Sequence, residues 1–329
     1  MADRADLAIV IVSMNDSCWL RPCLRTVFEH AGGIDLEVFV VENGETEETA
    51  ALIEEEFPTV ALIDSENRGF AHANNLAVRS CSARHVLFLN PDTELVDGDL
   101  AELVAIMDRS PEIGLIGVRH LTRGEVYPSI RRFPSAARAF GAALGSERWP
   151  LQPRWACERV LDSRAYDRAT DCDWTVGAFM LARGEALQAV GLMDERFFLY
   201  SEETDLCLRI KQAGWRVRHL PAATIIHHAG KAGVNARMEA QNAYARMQHA
   251  AKHFSPARRE AYRMALLLNH GIRWGRAAAR SDGAARRAAG AALAAVAGIG
   301  APPFRVPPQV AVAPARCMKT DKEMELTAA

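Results

Sequence analysis

Four short apolar runs, each followed by a stretch of helical spacing, leave this chain few ways to fold. They occupy residues 7–13 (LAIVIVS), 36–41 (LEVFVV), 60–64 and 85–89 (HVLFL). Unbroken runs of this kind are the pattern of strands buried on both faces. Residues 19–29, 46–57 and 70–81 carry helical spacing between them. Pro22 falls near the first turn of the first helix, where proline is tolerated, and Pro58 stops the second. A helix at 98–109 and a strand at 113–119 continue the alternation. The order predicts an α/β fold, a doubly wound, mostly parallel sheet with helices on both faces. Ligands of such sheets bind beyond the carboxyl ends of the strands. Ser13 and Asn15, Glu42 and Asn43, Asn67 and Arg68, and Asn90 and Asp92 stand at those ends.

Residues 120–172 read as a long irregular excursion over the sheet. A strand at 173–181, helices at 184–190 and 203–212, and strands at 217–220 and 222–226 follow. The chain then turns helical from 235 to 289 and basic, with 16 Lys and Arg against 6 Asp and Glu after residue 230. The remainder has 23 against 35. This asymmetry predicts three parts: a body at 1–230, a basic helical extension at 231–300 and a disordered tail at 301–329. Arg258, Arg259, Arg263, Arg273, Arg276 and Arg280 lie among Met264, Leu266, Leu267, Leu268, Ile272 and Trp274. That mixture suits either peripheral contact of residues 256–300 with an anionic membrane or a packed helical cap or homodimer contact.

Seven cysteines without a Cys-x-x-Cys pair argue against a disulfide framework or zinc ribbon. The N-terminal apolar run is too short for a signal peptide, and no stretch reaches transmembrane length. The expected location is cytoplasmic, at most peripheral on the inner face of the cell membrane.

The first strand ends in Ser13-Met14-Asn15-Asp16-Ser17, which excludes a Gly-x-Gly-x-x-Gly dinucleotide cradle. There is no Walker A motif and no Gly-x-Ser-x-Gly elbow. Chemistry must then come from side chains. Pro91 fixes an extended Asn90 and sets the direction in which Asp92 leaves the fourth strand. A carboxylate there suits a hard divalent cation bound with substrate phosphates, or simply a turn. Glu202, Glu203 and Asp205 form a dense acidic cluster beside the aromatic run 197–200. Such acids suit a general base with a raised pKa, or merely the first turn of a helix capped by Ser201. His227 closes an apolar strand and matters if it approaches Asp92 in space.

These pieces occur in an order that resembles the family 2 glycosyltransferases of the GT-A fold, particularly the branch that includes bacterial rhamnosyltransferases. The matching segments are VIVSMN at 10–15, VVEN at 40–43, ENRGFAHANN at 66–75 and LFLNPDTEL at 87–95. GAFML at 177–181, VGLMDERFFLYSEETDLCLR at 190–209 and AGWRVRHLPAATIIH at 213–227 complete the set, so the likeness spans about residues 7–230.

The resemblance implies an inverting transfer of a sugar from a nucleotide-diphosphate donor, with rhamnose from dTDP-rhamnose as one case. The acceptor would be a hydroxyl of a glycan or of a polyprenyl-diphosphate-linked acceptor in envelope polysaccharide synthesis; nucleic acid is not an expected partner. Ser13, Asn15, Glu42, Asn43, Asn67, Arg68, Gly69, Asn74, Asn90 and Arg209 fall on the donor side. Asp92 and His227 would hold Mg²⁺ or Mn²⁺. Glu203 matches the acid that serves as base, with Glu202 and Asp205 orienting it, and Trp174, Gly177 and Ala178 fall on the acceptor side. The family usually has Asp at the positions of Glu42 and Glu203, so both carboxylates here reach about 1.5 Å further. Two alternatives share the sheet. A sugar nucleotidyltransferase lacks its Gly- and Lys/Arg-rich first loop here, and a catalytically inactive GT-A binding module would not need these competent acids.

Overall fold

The computed structural model describes residues 4–228 and 235–304. Its strands are β1 (Leu7–Ser13), β2 (Leu36–Glu42), β3 (Ala61–Asp64), β4 (His85–Leu89), β5 (Thr93–Gly98), β6 (Ile113–Thr122), β7 (Glu125–Val126), β8 (Ile130–Arg131), β9 (Thr170–Asp171), β10 (Trp174–Thr175), β11 (Phe179–Arg183) and β12 (Arg216–His227). The helices are α1 (Ser17–Glu29), α2 (Glu47–Glu56), α3 (Phe70–Ser80), α4 (Leu100–Arg109), α5 (Ala136–Ala143), α6 (Gly184–Val190), α7 (Glu202–Gln212), α8 (Ala236–His253), α9 (Pro256–Ala279) and α10 (Gly283–Ala297).

The main sheet runs β3-β2-β1-β4-β11-β6-β12-β5. β3, β2, β1 and β4 are mutually parallel, as the alternation predicts. β11 then enters antiparallel between β4 and β6, and β12 pairs parallel with β6. Leu7, Ile9 and Ile11 of β1 belong to one core with Leu20 and Leu24 of α1 and Leu103 of α4. Ala8 and Val10 belong to the opposite core with Ala71 and Ala73 of α3 and Leu206 of α7. Successive residues of β1 therefore feed different layers, which is why its sequence shows no polar alternation.

Several expectations need correction. The strand expected at 173–181 is two, β10 and β11, separated by Val176-Gly177-Ala178. β12 runs unbroken where two strands were expected; it passes the exposed Pro221 inside a register shift, where proline's missing donor breaks no ladder. β5 was not foreseen, because its solvent-facing half is charged. Pro22 lies a turn deeper than expected, since α1 begins at Ser17. The excursion at 120–172 contains β7, β8, β9 and α5. Ser201 precedes α7 but makes no side-chain cap; it and Tyr200 have φ of 69° and 70°, a left-handed pair.

α8, α9 and α10 pack with α5 around Ala139, Ala243, Tyr262, Leu266, Ala292 and Val296. The small alanines let these helices approach closely. No helix of the described residues is long and apolar enough to cross a membrane. Six cysteines are free thiols; Cys317, and the part of the expected tail from 305 to 329, lie outside the described residues.

Candidate active site

The carboxyl ends of β1 and β2 are tied together by Glu42. Its Oε1 accepts the Asn15 and Gly44 N–H groups at 3.0 and 2.8 Å, and its Oε2 accepts the Thr49 hydroxyl at 2.7 Å. Glu42 is wholly buried, and its carboxylate is occupied by the turn that closes over it. Asn15, with φ of 57°, accepts Glu45 N–H through Oδ1 at 2.6 Å. Unspent polar atoms sit nearby. Ser13 Oγ, Asn43 Oδ1 and Asn74 Oδ1 are buried without a hydrogen-bond partner among the described residues. Buried acceptors and hydroxyls of this kind need a partner, which a bound polar ligand can supply.

Asn67 Oδ1 accepts Gly69 N–H at 3.2 Å, and Phe70 N–H donates to Phe198 O at 2.7 Å. Gly69 has φ of 104°, and a Cβ there would lie 2.4 Å from Phe198 O. Only glycine allows the 67–70 loop, which includes Arg68, to dock on the segment leading into α7.

Asp92 and His227 are far apart in sequence but meet because β5 and β12 pair with Thr93 opposite His227. Asp92 Oδ1 lies 3.5 Å from His227 Nε2, with side-chain exposures of 14% and 11%. His228 N–H donates to Asp92 O at 3.0 Å, and Thr122 Oγ1 donates to His227 O at 3.0 Å, so both backbones are fixed. Two ligands, each about 2.1 Å from one ion at ordinary coordination angles, sit roughly 3.0–3.5 Å apart. The pair fits a divalent cation that takes its remaining ligands from phosphate and water.

Asn90 N–H donates to Ala178 O at 3.1 Å and so links the end of β4 to the start of β11. Next in the chain, Gly177 faces the third group: a Cβ there would lie 3.8 Å from Glu203 Cβ. Trp174 is anchored by its indole N–H to Arg132 O at 3.0 Å. Gly177 and the acidic segment are thereby adjacent.

Within that segment the three acids differ. Glu202 is buried and Glu203 partly exposed, and each has an Oε2 without a hydrogen-bond partner. Burial, then the neighbouring Glu203 charge, pushes Glu202 well above the usual carboxylate range. Burial also raises Glu203, against the opposing charges of Arg131 and Arg246. Asp205 is different. Burial alone would raise it, but Arg209 Nε at 2.7 Å, Lys252 Nζ at 2.6 Å and His253 Nε2 at 2.6 Å hold it below its usual range. Arg209 spends its other nitrogens on Val190 O and Leu192 O at 2.6 and 2.7 Å, so its guanidinium braces the α6–α7 connection. Asp205, His249 and His253 bring three ligand atoms within 4.8 Å. The two cations already on Asp205 make that cluster a poor cation site.

Sequence reasoning missed the part played by the extension. Besides Lys252 and His253, Arg246 pairs with Glu158 at 2.6 Å, and Gln241 donates to Leu199 O at 3.0 Å. α8 therefore braces the segment on both sides of Glu203. The signal available was a Lys-His pair at the end of a predicted helix, which has no specificity by itself.

The profile of Glycosyl transferase family 2 matches residues 8–168. An N-acetylglucosaminyl-diphospho-decaprenol L-rhamnosyltransferase of Mycobacterium tuberculosis is 30% identical over 208 residues, covering 59% of this chain and 66% of that relative. The rhamnosyltransferase WbbL of Escherichia coli K12 is 30% identical over 173 residues, 49% of this chain and 61% of its own length. The chain thus spans less than two thirds of either relative. A mannosyltransferase from Pyrobaculum calidifontis, solved with GDP-Man and Mn²⁺, superposes with a TM-score of 0.55 at 18% identity, over 90% of this chain and 87% of that one. At that identity the likeness is one of fold, and the fold is GT-A. Profile, relatives and architecture agree in one direction: over residues 8–168 this chain is similar to glycosyl transferase family 2.

Proposed function

We propose that this chain is an inverting glycosyltransferase that moves a sugar from a nucleotide-diphosphate donor to an acceptor hydroxyl in envelope polysaccharide synthesis. One observation carries the reading. The Asp92–His227 pair and Glu203 are linked through the Asn90–Ala178 hydrogen bond and Gly177, which supports one shared site. A sugar whose diphosphate lies at the first and whose anomeric carbon faces the second is positioned for a single displacement.

Asp92 and His227 would hold Mg²⁺ or Mn²⁺, which supplies charge neutralisation for a leaving diphosphate. The chain's own residues do the rest. Ser13, Asn43 and Asn74 offer unspent polar atoms to the nucleoside. Glu203, partly exposed, takes the acceptor proton; its raised pKa makes it a stronger base than an ordinary carboxylate. Glu202 is its buried neighbour, and the Glu203 charge raises the proton affinity of Glu202 further. Attack opposite the diphosphate inverts the anomeric centre.

Rhamnose from dTDP-rhamnose and a polyprenyl-diphosphate-linked acceptor are the leading substrates, supported by the names of the two curated relatives. Such an acceptor resides at a membrane surface, on the cytoplasmic side where nucleotide sugars are found. Met264, Leu268 and Trp274 of α9 are 58%, 41% and 44% exposed among its arginines, which supports contact with anionic lipid.

The test is a screen of nucleotide sugars for thermal stabilisation of the full chain with and without Mn²⁺ or Mg²⁺. A responding donor is then followed into product, with NMR of the new anomeric proton reporting inversion. Silence towards every nucleotide sugar would remove the proposal's foundation.

A further inference from the structure

Most arginines around the cleft are spent. Arg132 donates to Cys157 O, Arg138 to Phe133 O, Arg159 pairs with Glu147, Arg246 with Glu158 and Arg209 with Asp205. Arg131 is less engaged: among the described residues it makes no ion pair, and its side chain donates to no backbone carbonyl. Its Nη2 donates to the Tyr127 hydroxyl at 3.2 Å, and its Nε is buried without a hydrogen-bond partner.

The guanidinium is nevertheless held in place. β8 and β10 pair with Arg131 opposite Trp174, which puts the two side chains on one face. Arg131 Cζ lies 5.6 Å from the Trp174 ring and 5.7 Å from the Tyr127 ring. The aromatic contacts partly offset the desolvation of the charge, but they leave its Nε–H unsatisfied. On one side, the Tyr127 ring is 6.2 Å from that of His227. On the other, the Arg131 charge is felt at Glu203, whose proton affinity it lowers. A fixed, planar fork of donors between a cation-binding pair and a base has the geometry that recognises phosphate.

We infer that Arg131 binds a phosphate oxyanion in the cleft between His227 and Glu203. The inference rests on the glycosyltransferase reading, and two phosphates are available under it: the donor's diphosphate, and the diphosphate of a lipid-linked acceptor. The chemistry is the same, so experiment must separate the sources.

The experiment is calorimetric titration of the full chain at fixed ionic strength with Mg²⁺, using dTDP and UDP in one arm and farnesyl diphosphate in the other. Arg131→Gln is expected to weaken one arm about tenfold to a hundredfold, the loss given by one charge-assisted hydrogen-bonded contact. Weakening confined to the nucleotides assigns Arg131 to the donor; weakening confined to farnesyl diphosphate assigns it to the acceptor. Unchanged affinity in both arms overturns the inference, and nucleotide binding by the wild type would show that the donor reading survives it. A wild type that binds neither nucleotide, yet binds farnesyl diphosphate through Arg131, would sink the donor reading alone. Should Arg131→Gln fail to fold, Arg131→Lys keeps the charge without the fork. It is expected to lose several-fold in affinity, and wild-type binding by it overturns the assignment.

Discussion

His253 Nε2 lies 2.6 Å from Asp205 Oδ1, so the last turn of α8 grips the acid that follows the base by two residues. With Arg209 and Lys252 on the same carboxylate, Asp205 gathers three partners from α7 and α8. Removing one partner of a buried pair is costly because the others are left uncompensated. Asp205→Asn is expected to lose about 3–5 kcal/mol of stability near pH 7 in urea unfolding. The sign with pH follows from its lowered pKa. Its contribution is complete above the ordinary carboxylate range and drains as pH falls towards the native value, because the unfolded chain then binds the proton first. The variant should therefore converge on the wild type in acid; a loss of equal size at every pH would refute the linkage.

Glu202 behaves in the opposite sense. Its pKa is raised by burial and by Glu203, so between its unfolded and native values the folded chain holds the extra proton. Stability then falls as pH rises through that window. Glu202→Gln is expected to be more stable than the wild type at pH 8 and to lose that margin near pH 4. A variant less stable than the wild type at pH 8 would contradict the buried, strained charge described for this residue.

Glu203→Gln should keep or modestly raise the melting temperature while lowering kcat by roughly 10²–10⁴, the contribution of a positioned base. Donor binding should persist, because Glu203 lies next to Gly177, on what we propose as the acceptor side. Loss of nucleotide binding in this variant would move Glu203 out of the base's role.

Asp92→Asn and His227→Ala should each abolish or sharply reduce stabilisation by dTDP or UDP plus Mn²⁺ without altering the melting temperature of the free chain. Bound Mn²⁺ counted by electron paramagnetic resonance gives a readout independent of turnover. Equal Mn²⁺ binding by both variants and the wild type would dismiss the pair as the cation site.

Two glycines separate fold from function. Gly69→Ala forces a Cβ to 2.4 Å from Phe198 O at a φ of 104°, so it should destabilise by more than about 1 kcal/mol and disturb the docked loop. Gly177→Ala meets Glu203 only at ordinary contact distance, 3.8 Å, and should fold normally. Its methyl group occupies space beside the base, so its effect should fall on the KM for the acceptor. Equal stability of the two variants, measured by urea unfolding, would undo the contrast.

Much of this was legible in the sequence where physics is local. The parallel core was readable because β1, β2 and β4 are buried on both faces and show it as unbroken apolar runs. β5 was not, since Thr93–Gly98 buries only alternate residues at a sheet edge and reads as a polar connection. Asp92 and His227 were recognisable one by one, but their meeting depends on β12 passing β6 to reach β5, a non-local pairing. Glu42 shows a different limit. Its identity suggested a ligand contact, but nothing in the sequence showed that Asn15 N–H, Gly44 N–H and the Thr49 hydroxyl would also donate to its carboxylate. Lys252 and His253 were invisible for a simpler reason: nothing in a helix's own periodicity says which distant acid its end will touch.

The grip of α8 on Asp205 also bears on how such enzymes can be recombined. A cut near residue 230 looks like a natural seam, with the nucleotide sheet on one side and a basic helical appendage on the other. It would pass between a carboxylate and two of its three partners, Lys252 and His253. An appendage grafted from a relative to redirect acceptor choice must bring its own matching cations to the same two positions. Otherwise the hybrid inherits an active site with its charge unbalanced, and a failure to work would say nothing about the acceptor.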